Sequence, residues 1–148
     1  MPSRRRSRER ALQMVFQWEA SGESPEAVAR AYWGGLQDSL GGEPPEDDFF
    51  ANRLFFGVAE RVRSIDQLIS EHAEHWRLER MPAVDRNILR LGVYEFLAGE
   101  TAPPVVINEA LELGRRFSEE KSAAFLNGVL DAIRRKLEQS SAAGSGTN

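Results

Sequence analysis

The apolar residues of this chain recur at the spacing of an α-helix, and no other feature of the sequence restricts the fold as strongly. Near the start, residues 11, 12, 15 and 16 are apolar, a spacing that places them on one face of a helix. Similar stripes follow along the chain, whereas no stretch sustains the alternation of period two that is typical of a half-buried strand. The periodicity therefore predicts an all-α fold of about seven helices without a sheet.

Capping residues, prolines and glycines divide the chain into these helices. In chain order, helices are predicted from about Arg4 to Ala20, from Ser24 to Gly35, from Pro45 to Val62, from Ser64 to Trp76, from Ala83 to Leu97, from Pro103 to Phe117 and from Ser118 to Leu137. The stretch from Gly34 to Pro45 is rich in Gly and Pro and predicts a mobile loop. We expect residues 1–140 to form one helical domain. The small and polar residues from Ser140 onward, 141–148 above all, predict a disordered tail.

For two of these helices, the sequence also predicts how they pack. The helix from Ala83 to Leu97 is apolar nearly all the way round, which predicts that it is the central buried helix. Asn127-Gly128 is a pair that is typical of hairpin turns, but the apolar stripe of the last helix passes through it at helical spacing. We therefore interpret Gly128 as helical and as a point where two helices approach each other closely.

Arginines crowd the first ten residues, at Arg4, Arg5, Arg6, Arg8 and Arg10. They belong to the same predicted helix as the first apolar stripe, and Arg5 and Arg8 lie on the side of Leu12. Cations at the N-terminus of a helix oppose its macrodipole, so a bound polyanion such as a phosphate backbone would offset their cost. A solvated and frayed terminus is the alternative interpretation.

The net charge of −4 conceals an uneven distribution of charge. Residues 1–20 hold five Arg against Glu9 and Glu19, a net charge of +3, so the remaining residues carry −7. A basic segment on an acidic protein is typical of an electrostatic binding site. The length suits one domain, and neither a signal peptide nor a membrane span is evident, so we expect a cytoplasmic protein without membrane contact.

Catalytic and metal sites are not indicated by the sequence. The chain has no cysteine, which excludes disulfides and zinc–thiolate sites. Its two histidines, His72 and His75, do not fit the metalloprotease spacing, and His72 lies on an apolar stripe. Neither a Gly-x-Ser-x-Gly elbow nor a glycine-rich phosphate loop occurs. We therefore expect no enzyme activity, no metal and no cofactor.

Several stretches of the sequence resemble the NusB transcription antitermination factors. The segment 4–18, from the arginines to Trp18, resembles the opening of that family. Val84–Glu95 resembles its central helix, and Val106–Leu113 and Phe125–Asp131 resemble its two C-terminal motifs. The order and spacing of these stretches agree with the family, and the resemblance extends from about residue 4 to residue 137.

The resemblance implies a fold of two packed helical subdomains and a function in transcription. It implies binding of the boxA segment of single-stranded RNA. It also implies a heterodimer with the small-subunit ribosomal protein that doubles as NusE. The resulting complex would act with RNA polymerase, helping it to read through terminators, notably in ribosomal RNA operons.

The resemblance also implies roles for individual residues. The residues implied in RNA binding are Arg4, Arg5, Arg6, Arg8, Gln13, Phe16, Lys121 and Phe125. Phe16, Glu79 and Asp85 match positions that face the ribosomal partner. Phe16 stands where the family often has Tyr, and its place beside apolar neighbours also indicates the core, so we predict a half-buried ring. Lys121 stands where some relatives carry an acid, and its charge would attract phosphate.

Two alternative interpretations of the sequence predict the same fold but a different function. One is the NusB-like domain of ribosomal RNA methyltransferases, which is followed by an α/β catalytic domain; we expect none here, because few residues follow the last predicted helix. The other is a helical scaffold that self-associates without binding RNA. Because some NusB relatives form homodimers that occlude the arginine surface, a homodimer stays open as an oligomeric state.

Overall fold

Helices make up all the regular secondary structure in residues 3–40 and 48–145, the part of the chain that the computed structural model describes. The α-helices are α1 (Arg4–Ser21), α2 (Pro25–Leu40), α3 (Phe49–His72), α4 (Ala83–Ala98), α5 (Pro103–Phe117) and α6 (Ser122–Ser145). A short 3-10 helix, Leu78–Arg80, lies between α3 and α4 in the sequence. The prediction of an all-α fold is confirmed. These helices belong to two compact units, residues 1–61 and 62–148.

The first unit contains α1, α2 and the first half of α3. α1 begins where the hydroxyl oxygen of Ser3 accepts the backbone N–H of Arg6 at 3.1 Å, and it ends at Gly22, which adopts a left-handed conformation with φ of 70°. The core side chains of this unit are Ala11, Leu12, Met14, Val15, Val28, Ala29, Trp33, Ala51, Leu54, Phe55 and Val58. The first apolar stripe of the sequence therefore anchors the second half of α1 in this core.

The second unit is built around α4. This helix packs against both α5 and α6, which also pack against each other. Ile88, Leu89 and Val93 have no exposed surface, so the prediction of a central buried helix is confirmed. The one buried cation of α4, Arg90, donates two hydrogen bonds to the Asp66 carboxylate, at 2.8 and 2.9 Å. This bidentate pair satisfies the buried charge.

Close approaches between helices occur at glycines, but not at the glycine that we predicted. A Cβ atom on Gly114 of α5 would lie 2.8 Å from Cδ1 of Leu126, and one on Gly92 of α4 would lie 3.0 Å from Cδ2 of Leu130. Gly128 is helical, as predicted, yet a Cβ atom there would meet nothing within 4 Å. The prediction that Gly128 marks a close approach is therefore wrong, because Gly128 lies on the exposed side of α6.

The predicted end of the second helix at Gly34-Gly35 is also wrong, since α2 continues to Leu40. Neither glycine has the positive φ that would end a helix, whereas Gly22 and Gly99 do. Part of the predicted loop, residues 41–45, lies outside the described residues, as does the predicted helix start at residues 45–47. α3 begins at Phe49, with the buried carboxylate of Asp48 accepting the N–H of Ala51 at 3.1 Å.

Two further helix starts differ from the predictions. The two helices predicted to meet between Val62 and Ser64 are joined in α3, which kinks close to that boundary, at Arg61. Its only residue with non-helical dihedral angles is Arg61, with φ of −111° and ψ of 17°. α6 begins at Ser122 instead of directly after Ser118, and the hydroxyls of both serines donate hydrogen bonds to the Asp85 side chain. At its other end α6 continues to Ser145, beyond the predicted end near Ser140.

None of the helices in the described ranges is both long enough and apolar enough to cross a membrane.

Candidate nucleic-acid interface

The arginines at the start of α1 are held by specific partners. The guanidinium carbon of Arg4 lies 4.0 Å from the centroid of the Phe50 ring, a cation–π contact. Arg6 pairs with Glu9 at 3.4 Å, and Arg10 pairs with Asp48 at 3.0 Å. The cost of placing cations at a helix N-terminus is therefore partly offset inside the protein, by an aromatic ring and two carboxylates.

Asp48 joins α1 to the start of α3. Its side chain is almost fully buried. One carboxylate oxygen accepts the Ser7 hydroxyl at 2.7 Å and the backbone N–H of Ala51 at 3.1 Å, and the other accepts Arg10 at 3.0 Å. In the sequence, Asp48 is only the last of three consecutive acids at the start of a predicted helix, where acids are favourable. Its contacts with Ser7 and Arg10 of α1 fix the position of the first turn of α3 against the arginine-rich turn.

The predicted RNA-binding arginines differ in exposure. Arg4, Arg5 and Arg6 are exposed, whereas Arg8 is only 5% exposed and its guanidinium carbon lies 5.2 Å from the Phe50 ring centroid. Arg5 and Arg8 thus do not present equivalent charges, although both lie on the side of Leu12. The exposed cations of this turn are those of residues 4–6.

Gln13 and Phe16 lie further along α1. Phe16 is 45% exposed, so it is not a core residue, and the prediction of a half-buried ring agrees with this exposure. Gln13 is exposed, and its side-chain oxygen accepts the hydroxyl of Tyr32 at 2.6 Å. Burial raises the pKa of the Tyr32 phenol above its ordinary value of 10.0, which keeps this donor protonated.

In the second unit, three of the predicted residues line one groove, which we call the aromatic groove. Its volume is ≈ 510 Å³, and its walls include Trp76, Met81, Asp85, Lys121, Ser122 and Phe125. The rings of Trp76 and Phe125 meet edge to face, with centroids 6.0 Å apart, and Trp76 is 53% exposed. The fourth predicted residue of this unit, Glu79, is exposed on the 3-10 helix and does not line the groove.

Asp85 and Lys121 occupy very different environments in this groove. Asp85 is 4% exposed, and its two carboxylate oxygens accept the hydroxyls of Ser118 at 2.5 Å and Ser122 at 2.9 Å. The Lys121 side chain is 86% exposed and lies 3.4 Å from the Glu119 carboxylate. Asp85 thus fixes the turn between α5 and α6, from which Lys121 projects into solvent. The resemblance implies that Asp85 faces the ribosomal partner, and in the structure its side chain is buried against the two serines.

Neither histidine has the surroundings of a metal ligand. His72 Nδ1 lies 2.8 Å from the backbone oxygen of Leu68 in the same helix. Within the described ranges, no three His, Asp or Glu side chains come close enough together to hold a metal ion.

Sequence reasoning missed several residues that shape these surfaces, namely Ser7, Tyr32, Phe50, Arg53 and Trp76. Four of them contact residues distant in the sequence, as Ser7 contacts Asp48 across 41 positions, whereas Arg53 contacts the Phe50 ring three positions away. Periodicity assigns a residue to a helix face but does not pair one face with another. Trp76 alone offered a signal, because it is a large apolar residue at the end of a predicted helix, close to a proline break.

Comparisons with known proteins agree with these features. A family model described as the NusB family matches residues 5–135. The transcription antitermination protein NusB of Solibacter usitatus is 52% identical over 142 residues, which cover 96% of this chain and 95% of the relative. The protein of the same name from Koribacter versatilis is 48% identical over 137 residues, which cover 92% and 91% of the two chains.

Solved structures of NusB proteins also match this chain. T. maritima NusB matches with a TM-score of 0.77 and 34% identity, over 90% of this chain and 92% of that one. A chain in the crystal structure of antitermination factors NusB and NusE in complex with dsRNA matches with a TM-score of 0.75 and 26% identity, over 88% and 94% of the two chains.

Proposed function

The chain belongs to the NusB family, and from that premise we propose that it is a transcription antitermination factor that binds RNA together with NusE. The observation that carries the proposal is the exposed cationic turn of residues 4–6, displayed on a helix whose second half is anchored in a core. We propose boxA as the RNA and the small-subunit ribosomal protein that doubles as NusE as the partner. The complex would act with RNA polymerase in the cytoplasm, without catalysis by this chain.

The exposed residues of α1 support a continuous RNA-binding face within the first unit. Gln13 and Phe16 follow Arg5 by about two and three helical turns, so all three lie on the same side of α1. Arginines at one end of this face would contact phosphates, which supplies affinity without sequence preference. The half-exposed ring of Phe16 would stack on a base, and the Gln13 amide would form hydrogen bonds with a base edge.

The aromatic groove supports a second contact surface within the second unit. Lys121 offers an exposed cation, and the edge of the Trp76–Phe125 pair offers apolar surface, a combination that suits an RNA segment or the ribosomal partner. Glu79 is exposed and acidic, and we propose that it faces basic groups of the partner. Because Asp85 is buried, we propose that it serves the partner surface by holding the turn that carries Lys121.

The test replaces exposed cations and measures the salt dependence of RNA binding. The variant Arg5→Gln/Arg6→Gln should weaken binding to boxA RNA and flatten the plot of log K against log salt by about 1.4, because each phosphate contact to a single strand contributes roughly 0.7 to the slope. The matched control is Arg30→Gln, which removes an exposed cation from α2 in the same unit. Identical slopes for the wild type and the double variant would refute the proposed site.

The self-associating scaffold is tested in the same samples by light scattering. A chain that binds boxA RNA should form a complex with the mass of one protein chain and one RNA. A dimer that persists in excess RNA and leaves the RNA unbound would favour the scaffold instead.

A further inference from the structure

We propose that Tyr32 of α2 is a specificity-determining residue of the RNA surface, because it holds the oxygen of the Gln13 amide and leaves this amide to read bases through its N–H donors alone. The selection that follows is against adenine. Tyr32 acts through Gln13 and is therefore a positioning residue. The inference rests on the proposed function, since it assigns a preference to the base contact proposed for Gln13. Tyr32 lies outside the stretches that carry the family resemblance.

A single hydrogen bond orients the Gln13 side chain. The Tyr32 hydroxyl donates to Oε1 of Gln13 at 2.6 Å. Gln13 is exposed, and its side chain forms no other hydrogen bond with residues 3–40 and 48–145. Because a Gln amide is planar, with its oxygen and its NH2 group on opposite arms, a contact that orients the oxygen also orients the NH2 group. Both N–H donors of that group are therefore available to a ligand.

The Tyr32 ring is itself held by the core of the first unit. It meets the ring of Trp33 edge to face, with centroids 5.0 Å apart. Trp33 is buried, and its indole N–H donates to Oδ1 of Asn52 in α3 at 2.7 Å. Burial raises the pKa of the Tyr32 phenol, so the hydroxyl keeps its proton at neutral pH and can donate it to Gln13. The Gln13 amide is thus oriented before RNA binds, which lowers the side-chain entropy lost on binding.

The orientation of the amide decides which bases it recognises. An untethered Gln binds adenine with both arms, since its NH2 group donates to N7 and its oxygen accepts the N6 amino group. In this chain the phenol occupies the oxygen arm. The oxygen retains a second lone pair, but an adenine aligned on both arms would crowd against the hydroxyl 2.6 Å away. Guanine, uracil and cytosine carry carbonyl oxygens that accept from the NH2 arm alone, whereas the amino group of adenine would be left without an acceptor.

The base that Gln13 reads is one stacked on Phe16. The two residues are three positions apart in α1, a spacing that makes them neighbours on the helix surface, with about 5–6 Å between their Cβ atoms. Phe16 is 45% exposed, and every base has a π-face that can stack on such a ring. A base on the Phe16 ring would have its edge within reach of the Gln13 amide. Stacking then supplies affinity without base preference, and the Gln13 donors supply the preference.

The experiment measures the affinity of the chain for boxA RNAs in which one base at a time is replaced by adenine. For the wild type, adenine should weaken binding by roughly fivefold or more at the position that Gln13 reads, the low end of what a well-placed pair of hydrogen bonds discriminates. Gln13→Ala identifies that position, because the penalty for adenine should disappear there. Tyr32→Phe keeps the ring but removes the tether, so it should bind the RNA with adenine at this position more tightly than the wild type does.

A gain of affinity for one altered RNA distinguishes positioning from a structural role, because a damaged fold weakens the binding of every RNA. In the Gln13→Ala background, Tyr32→Phe should have no further effect on base preference, since the two residues act as a unit. Tyr94→Phe, the same change at the only other tyrosine of the chain, is the matched control and should leave the preference unchanged.

The outcomes separate this inference from the proposed function. If the wild type binds boxA RNA but Tyr32→Phe keeps the penalty for adenine, or weakens the binding of all RNAs equally, the inference is overturned alone. The same holds if Gln13→Ala leaves the base preference unchanged at every position, or if Tyr94→Phe relaxes the preference as much as Tyr32→Phe does. Absence of RNA binding by the wild type would overturn the proposed function itself.

Discussion

Replacement of Asp48 by Ala should destabilise the first unit, and the structure allows an estimate of the magnitude. The change removes the N-terminal cap of α3, which costs about 1 kcal/mol. It leaves the buried Ser7 hydroxyl without its acceptor, for about 1–3 kcal/mol, and it removes the charged partner of Arg10, for about 1.5–3 kcal/mol. Because the three contacts share one side chain, their contributions are not additive, and we expect a total loss of about 2–4 kcal/mol.

Urea denaturation followed by circular dichroism measures this loss. With an m-value of about 2 kcal/mol/M, the midpoint should fall by roughly 1–2 M. The matched control, Asp48→Asn, keeps an acceptor for Ser7 and Ala51 but loses the charge opposite Arg10, so it should lie between the wild type and the Ala variant. A loss below about 0.5 kcal/mol for Asp48→Ala, the range of an ordinary surface substitution, would refute the role of Asp48 as the link between α1 and α3.

Four further predictions use the same preparations. In urea melts, Gly114→Ala should destabilise by about 1–2 kcal/mol because its Cβ would overlap a buried leucine, whereas Gly128→Ala should stabilise by about 0.5–1 kcal/mol; the reverse order would contradict the assigned packing. Phe16→Ala should cost less than the ~3–5 kcal/mol of stability that a core phenylalanine contributes, yet it should weaken RNA binding by about 1–3 kcal/mol. Phe16→Tyr should retain or improve RNA binding, whereas severe unfolding of Phe16→Ala would place the ring in the interior. Asp85→Ala should lower the free energy of unfolding by about 1–3 kcal/mol. It should also weaken binding of the ribosomal partner more than it weakens RNA binding by the isolated chain, and equal weakening of both would contradict its role at the partner surface. Because burial raises the pKa of Tyr32, the folded state keeps the phenolic proton to higher pH than the unfolded state, and stability should fall as the pH rises above about 10; Tyr32→Phe should remove this part of the slope.

The helical periodicity was sufficient to predict which segments are helices and which helix is buried. Val93 and its neighbours in α4 show why, since a helix that is apolar on every side has no stable place except the interior. The helix ends were less predictable, because the signals at them are ambiguous. Gly34-Gly35 could either end α2 or continue it, and the helix break predicted just before Ser64 occurs as a kink three residues earlier, at Arg61.

The exposed arginines of the site were also predictable, since they occur consecutively in the sequence. The low exposure of Arg8 was not predictable from the sequence, because Arg8 lies against the Phe50 ring, which belongs to another helix. For the same reason, a first-turn acid such as Asp85 can be either an exposed partner for basic groups or a buried acceptor, and only its distance to Ser118 and Ser122 decides between them. Side-chain contacts between distant segments are the part of the site that local patterns do not contain.

The most direct test of the proposed function is the affinity of the chain for boxA RNA, measured at one salt concentration with and without the ribosomal partner. A scrambled RNA of the same length and composition is the control for non-specific phosphate contacts. We expect boxA to bind more tightly than the scrambled RNA, and the partner to increase that preference. Equal affinity for the two RNAs in the presence of the partner would contradict the account, because the cations of α1 would then act without sequence recognition.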